Sequence, residues 1–510
     1  MSKKKKSEKI FDLVSDFETL SSMQHRGYGY LPSHMRPEIL RRNPTPDHMI
    51  LNQGDDGGFW FGIRPDGSSF GEHIVKPQDV EGHILCVGGP GSGKTARIVA
   101  PSLQTWSGHI VVIDVKSNGD LTNRCVRAGK ALGKHTIIFS PTIEGGCGFD
   151  PYALLHSDGE EQLPSNAKDL ANALLPLPLE VRETIWIEAA QNLLTATILF
   201  YIDCGATFSE TMSACQLKTA QELIDIIEDS NNMVAKVYIG KLKDLPRKVL
   251  KSIDMELTKL AIFTTDAALD NALGGDVNFE MFNWDILNTS SSPYNIVLQL
   301  PEEKLEIWAP MTQLLLTQLI RTLERRADKH SPNGVDLPPV LIMCEEFARL
   351  GCIESIKIGM TTLRSRGITF CIVVQSLAQL DERYGVNGRR IIVDNCSYFA
   401  IMKITEPESQ KYFSEMIGSI PAFGRGIGAS YDLHSGGTRN YNLHMNEARE
   451  PIVYPHELAY LDKEIVLLTP NYPLAITKAL PHRNYRLAHS IVEHCPSYAC
   501  EREVLTYEYR

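Results

Sequence analysis

A chain of 510 residues, 43% hydrophobic and 22% charged, is long enough for two or three cores, and its composition excludes disordered and fibrous classes. Its net charge of -11 excludes a generic basic nucleic-acid coat, so any DNA contact must come from a local patch or a ring of subunits. The 11 cysteines include no CxxC pair, and Cys86, Cys344 and Cys371 sit in apolar runs, as small core residues of a reducing compartment do. In the tail, His494, Cys495 and Cys500 lack four-ligand zinc spacing.

The N-terminus carries Lys3 to Lys6 and Lys9 with no apolar region behind them, so no secretory signal is expected. Such a run is a solvated end or a weak electrostatic anchor. Glycine-rich turns around the aromatic run of 51–71 predict a β-hairpin. Apolar runs then alternate with helical stretches: HILCVGG (83–89), HIVVIDV (109–115) and HTIIFSP (135–141). Runs of this kind predict strands buried on both faces of a parallel sheet flanked by helices. From 156 to 290 the periodicity is helical, which predicts an inserted all-α domain. Strand-like runs return at 295–301, 339–347, 368–376, 398–404, 464–470 and 473–480.

The expected division is an N-terminal segment (1–80), a discontinuous α/β nucleotide-binding domain (81–155 and 291–485), the all-α insert (156–290) and a tail (486–510). The longest uncharged apolar stretches, 189–202 and 307–320, are about 14 residues, too short to cross a bilayer. A soluble, cytoplasmic protein with no transmembrane segment is expected.

Residues 88–95 read GGPGSGKT and satisfy GxxxxGK[ST] between an expected strand and an expected helix. The backbone of Gly88, Gly89, Pro90, Gly91, Ser92 and Gly93 turns its N–H groups around phosphate oxygens. Lys94 reaches the β- and γ-phosphates, and Thr95 offers its hydroxyl to Mg²⁺. ATP with Mg²⁺ is the expected cofactor pair. In VLIMCEEF an apolar strand ends in Glu345, placed to face the magnesium shell, and Glu346, placed to polarise the attacking water. Arg364 and Arg366 precede the next strand and could supply a cation to the γ-phosphate, and Gln375 ends that strand. HExxH and GxSxG signatures are absent.

Together these pieces resemble the coupling-protein ATPases of type IV secretion, the TraG/TraD conjugative DNA-transfer family. GHIVVIDVKSNGDL (108–121) resembles the family's strand and loop, with Asp114, Lys116 and Asp120 at its polar positions. So do GFDPYALL (148–155), IWIEAAQNLLTATILFYI (185–202) and CEEFARLGCIESI (344–356). LRSRGITFCIVVQSLAQLDERYG (363–385) and EAREPIVYPHELAYLDKEIVLL (447–468) complete a likeness over about residues 80 to 480.

The resemblance implies a RecA-like fold with an inserted all-α domain and a homo-hexameric ring. It implies ATP-driven movement of DNA, single-stranded and attached to a relaxase, or of protein, into a secretion channel. Arg364 would be the arginine finger, Gln375 the family's glutamine, and the helical domain would help choose substrate. Two departures stand out. Glu345 replaces the usual Asp, and the N-terminal transmembrane helices of most relatives are not seen, so a membrane partner or the lysine-rich start would bring the chain to the cytoplasmic face of the membrane. Other readings of the same residues are a soluble hexameric DNA translocase with no secretion role and a nucleotide-gated adaptor with weak hydrolysis. A small-molecule kinase would need a basic lid, and no arginine cluster serves as one.

Overall fold

The computed structural model describes residues 37–477 apart from 52–54, 65–71, 117–118, 143–145, 157–158, 178–183, 276–279, 329–336, 431–439 and 462–463. The lysine-rich start and the Cys-bearing tail lie outside the described residues.

Strands form where the sequence is apolar and β-branched. In chain order they are β1 (Gly58–Arg64), β2 (Glu72–Pro77), β3 (His83–Val87), β4 (His109–Asp114), β5 (His135–Phe139), β6 (Gly148–Phe149), β7 (Met281–Phe282) and β8 (Tyr294–Gln299). They continue with β9 (Val340–Cys344), β10 (Ile368–Val374), β11 (Cys396–Ile401), β12 (Ser419–Ser430), β13 (Asn440–Pro451), β14 (Glu464–Leu468) and β15 (Pro473–Thr477).

Among the described residues, eleven of them make one sheet in the order β2-β1-β15-β14-β11-β3-β10-β9-β4-β8-β5. From β11 to β5 every neighbour is parallel. From β11 out to β2 every neighbour is antiparallel. Successive side chains of a strand enter opposite cores. Leu85, Val87, Val111 and Ile113 pack on one face, and Ile84, Cys86, Ile110 and Val112 on the other. Each strand therefore reads as a continuous apolar run rather than an alternating one.

The expected hairpin exists, with its second strand later than the 51–71 reading placed it. β1 pairs antiparallel with β2, from Gly58 opposite Pro77 to Arg64 opposite Glu72. His73, Ile74 and Val75 fill buried positions of the second strand. β1 also pairs with β15, so the hairpin extends the main sheet.

Between β6 and β7 the chain is helical. Capping boxes at Thr207/Glu210 and Thr219/Glu222 start the helices Phe208–Leu217 and Ala220–Asp229. The central helix runs Ile185–Asp203 and buries Ile187, Ala190, Leu193, Leu194, Ala196, Ile198 and Leu199. It holds the uncharged apolar run 189–202 and begins four residues before it, at Ile185. Among the described residues it is the one helix long and apolar enough to cross a membrane, and here its apolar side chains join the core of the helical region. β6 and β7 pair in parallel, Gly148 with Met281 and Phe149 with Phe282. The rings of Phe149, Phe282 and Trp284 lock this bridge, with centroids 5.2–6.0 Å apart.

At the N-terminal end of β3, His83 is buried and neutral. Its Nδ1 accepts from the Phe370 N–H at 3.2 Å, so Nε2 carries the proton and donates to the Met360 carbonyl at 2.8 Å. Burial lowers the His83 pKa from 6.5 to about 4, and burial lowers that of His109 to about 4 as well. Their folded pKa values lie below the unfolded ones. The stability they contribute is therefore complete above pH 6.5 and is withdrawn as pH falls from 6.5 through 4, at a cost on the order of 3 kcal/mol each. The melting temperature is expected to fall across that window in scanning fluorimetry. His83→Asn should flatten the slope; an unchanged slope would assign the acid loss to other groups.

Candidate functional site

The ends of four neighbouring parallel strands, β3, β10, β9 and β4, each deliver polar groups to one place. β3 leads into the loop Gly88–Thr95. The Gly88 N–H donates to the Val374 carbonyl at 3.2 Å and the Gly89 N–H to the Lys403 carbonyl at 2.6 Å, so the loop is anchored to both flanking strand ends. A Cβ on Gly88 would fall 2.7 Å from Ser92 Oγ and 2.9 Å from Met402 Cβ. Gly93 has φ +92°, a conformation that L side chains rarely adopt. Pro90 and Gly91 are exposed at the tip, and the buried Ser92 hydroxyl has no partner among the described residues. After Lys94 the chain makes a π-helical turn, Thr95–Val99, that continues as the helix Ala100–Thr105. The helical run thus starts at the loop, and a helix start favours an anion.

Lys94 is 8% exposed, and its Nζ donates to the carbonyls of Gly88 at 2.5 Å and Gly89 at 3.2 Å. Burial lowers its pKa, and the carboxylates of Glu346 and Glu345 oppose the shift.

β9 ends at Cys344, and Glu345 follows it into the same place. Its side chain is buried. Oε1 accepts from Thr95 Oγ1, and from Lys116 Nζ at 2.7 Å. Lys116 Nζ also donates to Thr95 Oγ1 at 3.2 Å. Glu345 Oε2 is buried with no partner among the described residues. A buried carboxylate oxygen with free lone pairs, beside a threonine hydroxyl, is a donor set suited to a hard cation such as Mg²⁺.

Glu346 is the one non-glycine with positive φ among the described residues, at φ 55° and ψ 42°. Holding it there costs about 1 kcal/mol. The turn aims its carboxylate at Gln375, which follows β10: Gln375 Nε2 donates to Glu346 Oε2 at 3.1 Å. The Gln375 N–H donates to Gln379 Oε1 at 2.9 Å, which fixes the glutamine at the helix start.

Sequence reasoning placed Lys116 in a family element but not in the site. It lies two residues beyond Asp114, the buried end of β4. Asp114 Oδ1 accepts from the Lys116 N–H at 3.2 Å, and Oδ2 accepts from the Thr122 N–H at 2.8 Å and hydroxyl at 2.6 Å. Asp114 thus pins the backbone of Lys116. The signal that could have found it is an acid-x-lysine ending a buried strand of the same sheet.

The two arginines separate. Arg366 Nη1 donates to the carbonyls of Glu324, the last residue of the helix Ala309–Glu324, and of Arg326 just beyond it, so it is a structural clamp. Arg364 is exposed and pairs with Glu81 at 3.2 Å. It precedes β10, at the opposite edge of the sheet from Gly88–Thr95, and is not brought to Lys94 of its own chain.

A family model described as type IV secretory system conjugative DNA transfer matches residues 17–500. Protein VirD4 of Rhizobium radiobacter is 26% identical over 470 residues, covering 90% of this chain and 62% of that protein. The conjugal transfer protein TraG of Agrobacterium fabrum (strain C58) is 23% identical over 415 residues, covering 78% of this chain and 60% of that protein. The chain thus spans about three fifths of the length of these relatives. Among solved structures, the unbound bacterial conjugative coupling protein TrwBdeltaN70 is similar with a TM-score of 0.60 at 16% identity, over 87% of this chain and 91% of that one. Plasmid coupling protein TrwB in complex with ADP and Mg²⁺ gives 0.61 at 15%, over 87% and 92%. At these identities the likeness shows the fold, a RecA-like P-loop α/β domain with an all-helical domain.

Proposed function

The chain belongs to the type IV secretory system conjugative DNA transfer family, and from that premise we propose that it is a P-loop ATPase coupling hydrolysis to the movement of DNA, or of protein, into a secretion channel. It acts as a homo-hexamer at the cytoplasmic face of the membrane, on single-stranded DNA carried with a relaxase. The observation that carries this reading is the convergence of Lys94, Thr95, Glu345, Glu346 and Gln375 at adjacent strand ends.

The N–H groups of Gly91, Gly93 and Thr95, together with Lys94, would hold the β- and γ-phosphates. Thr95 and Glu345 would hold Mg²⁺, which when bound offsets the negative charge of the phosphates. Glu346 Oε2, oriented by Gln375, would take the proton of the attacking water. Arg364 of a neighbouring subunit would offset charge on the γ-phosphate. The VirD4 and TraG names and the nucleotide-bound TrwB structure support this reading.

One observation favours a second reading, a nucleotide-gated adaptor: Thr95 and Lys116 both engage Glu345 Oε1, which leaves only Oε2 of that carboxylate for a metal. ATP hydrolysis by the purified chain, with and without single- and double-stranded DNA, separates the two. Turnover stimulated by single-stranded DNA is expected. Tight ATP binding with no turnover under any condition would overturn the motor and leave the adaptor.

A further inference from the structure

Lys116 touches the Thr95 hydroxyl and one oxygen of the Glu345 carboxylate, the two side chains assigned above to the metal; the other carboxylate oxygen, Oε2, has no partner among the described residues. The Lys116 ammonium donates to Glu345 Oε1 at 2.7 Å and to Thr95 Oγ1 at 3.2 Å. A divalent cation held by the Thr95 hydroxyl and the Glu345 carboxylate would stand beside this ammonium, and positive charges that close repel strongly in a buried site, so the two compete for the pair. The rest of the site is built for such an exchange. Asp114 holds the Lys116 backbone, while its side chain is 35% exposed on a four-carbon stem. The lysine can swing without moving the sheet.

Charge decides which cation is present. Lys94 and Lys116 balance Glu345 and Glu346 in a pocket where Glu345 is almost fully buried. A divalent ion arriving alone would face both lysines and would have to displace one into solvent. A magnesium nucleotide arrives with net negative charge and offers the displaced ammonium a new set of oxygens. Glu345 also accepts from Thr95 Oγ1 directly.

Resting on the nucleotide-binding reading, we infer that Lys116 is a placeholder cation. It occupies Glu345 and Thr95 until a magnesium nucleotide binds, then passes to the phosphates, so the site takes a metal only together with its nucleotide.

The test uses the full chain, with Mn²⁺ as the probe and free Mn²⁺ counted by electron paramagnetic resonance, with and without a non-hydrolysable ATP analogue. Wild type should bind Mn²⁺ weakly alone and tightly with the analogue. Lys116→Met should bind Mn²⁺ alone about tenfold more tightly and the analogue about tenfold more weakly. Adding Glu345→Gln should remove the gain in Mn²⁺ affinity, which locates it. Lys116→Gln serves as the second variant should the methionine form fail to fold. Unchanged Mn²⁺ affinity in a folded Lys116 variant would overturn the placeholder alone. Failure of the wild type to bind the analogue with Mn²⁺ would overturn both the placeholder and the nucleotide reading.

Discussion

Lys94→Ala is expected to weaken ATP binding by about a hundredfold and to abolish turnover, because a charge-assisted contact to phosphate is worth about 3 kcal/mol in a buried site. The lysine is 8% exposed and held by the loop carbonyls of Gly88 and Gly89, so its ammonium is already placed and little ordering is needed when phosphate arrives. The carboxylates of Glu346 and Glu345 oppose the fall in its pKa that burial causes. Titration with a fluorescent ATP analogue reads the affinity, and a melting scan checks that the fold persists. Affinity within threefold of wild type in a folded variant would remove Gly88–Thr95 as the nucleotide site.

An equimolar mixture of Lys94→Ala and Arg364→Ala chains is expected to hydrolyse ATP when each variant alone does not. Arg364 precedes the N-terminal end of β10, whereas Lys94 follows the C-terminal end of β3, its parallel neighbour. A seven-residue strand at about 3.3 Å per residue sets them about 20 Å apart, beyond the reach of an arginine side chain. The exposed pair Arg364–Glu81 is worth less than about 1 kcal/mol and would yield readily to a stronger partner. If the guanidinium serves the adjacent subunit, its loss costs about a thousandfold in turnover. In a randomly mixed ring about a quarter of the interfaces then join an intact loop to an intact arginine, which sets the activity recovered. A mixture as inactive as its components would remove Arg364 from the neighbour's site.

The parts of the fold that could be read from sequence are those decided by local chemistry. HILCV and VLIMC are continuous apolar runs too short for a helix, so they read as strands covered on both sides. The phosphate loop was legible because its glycines and lysine are contiguous. Lys116 as a partner of Glu345 was not, because the two are 229 residues apart and meet only through the order β3-β10-β9-β4, which no periodicity encodes. The left-handed turn at Glu346 was hidden for a different reason: the surrounding packing imposes it on a residue that does not favour it. Arg364 and Arg366 look alike in sequence, and only the carbonyls at the end of Ala309–Glu324 distinguish the clamp from the exposed side chain.

The bridge between β6 and β7 sets how the helical region can change over evolutionary time. Gly148 and Met281 sit opposite each other in adjacent strands, which places the two ends of the intervening chain about 5 Å apart. A segment that departs and returns at one point imposes no span on its host. It can lengthen, shrink or be exchanged for another helical cassette while β3, β4, β9 and β10 keep their register. The main sheet and the helical region are therefore free to diverge at different rates.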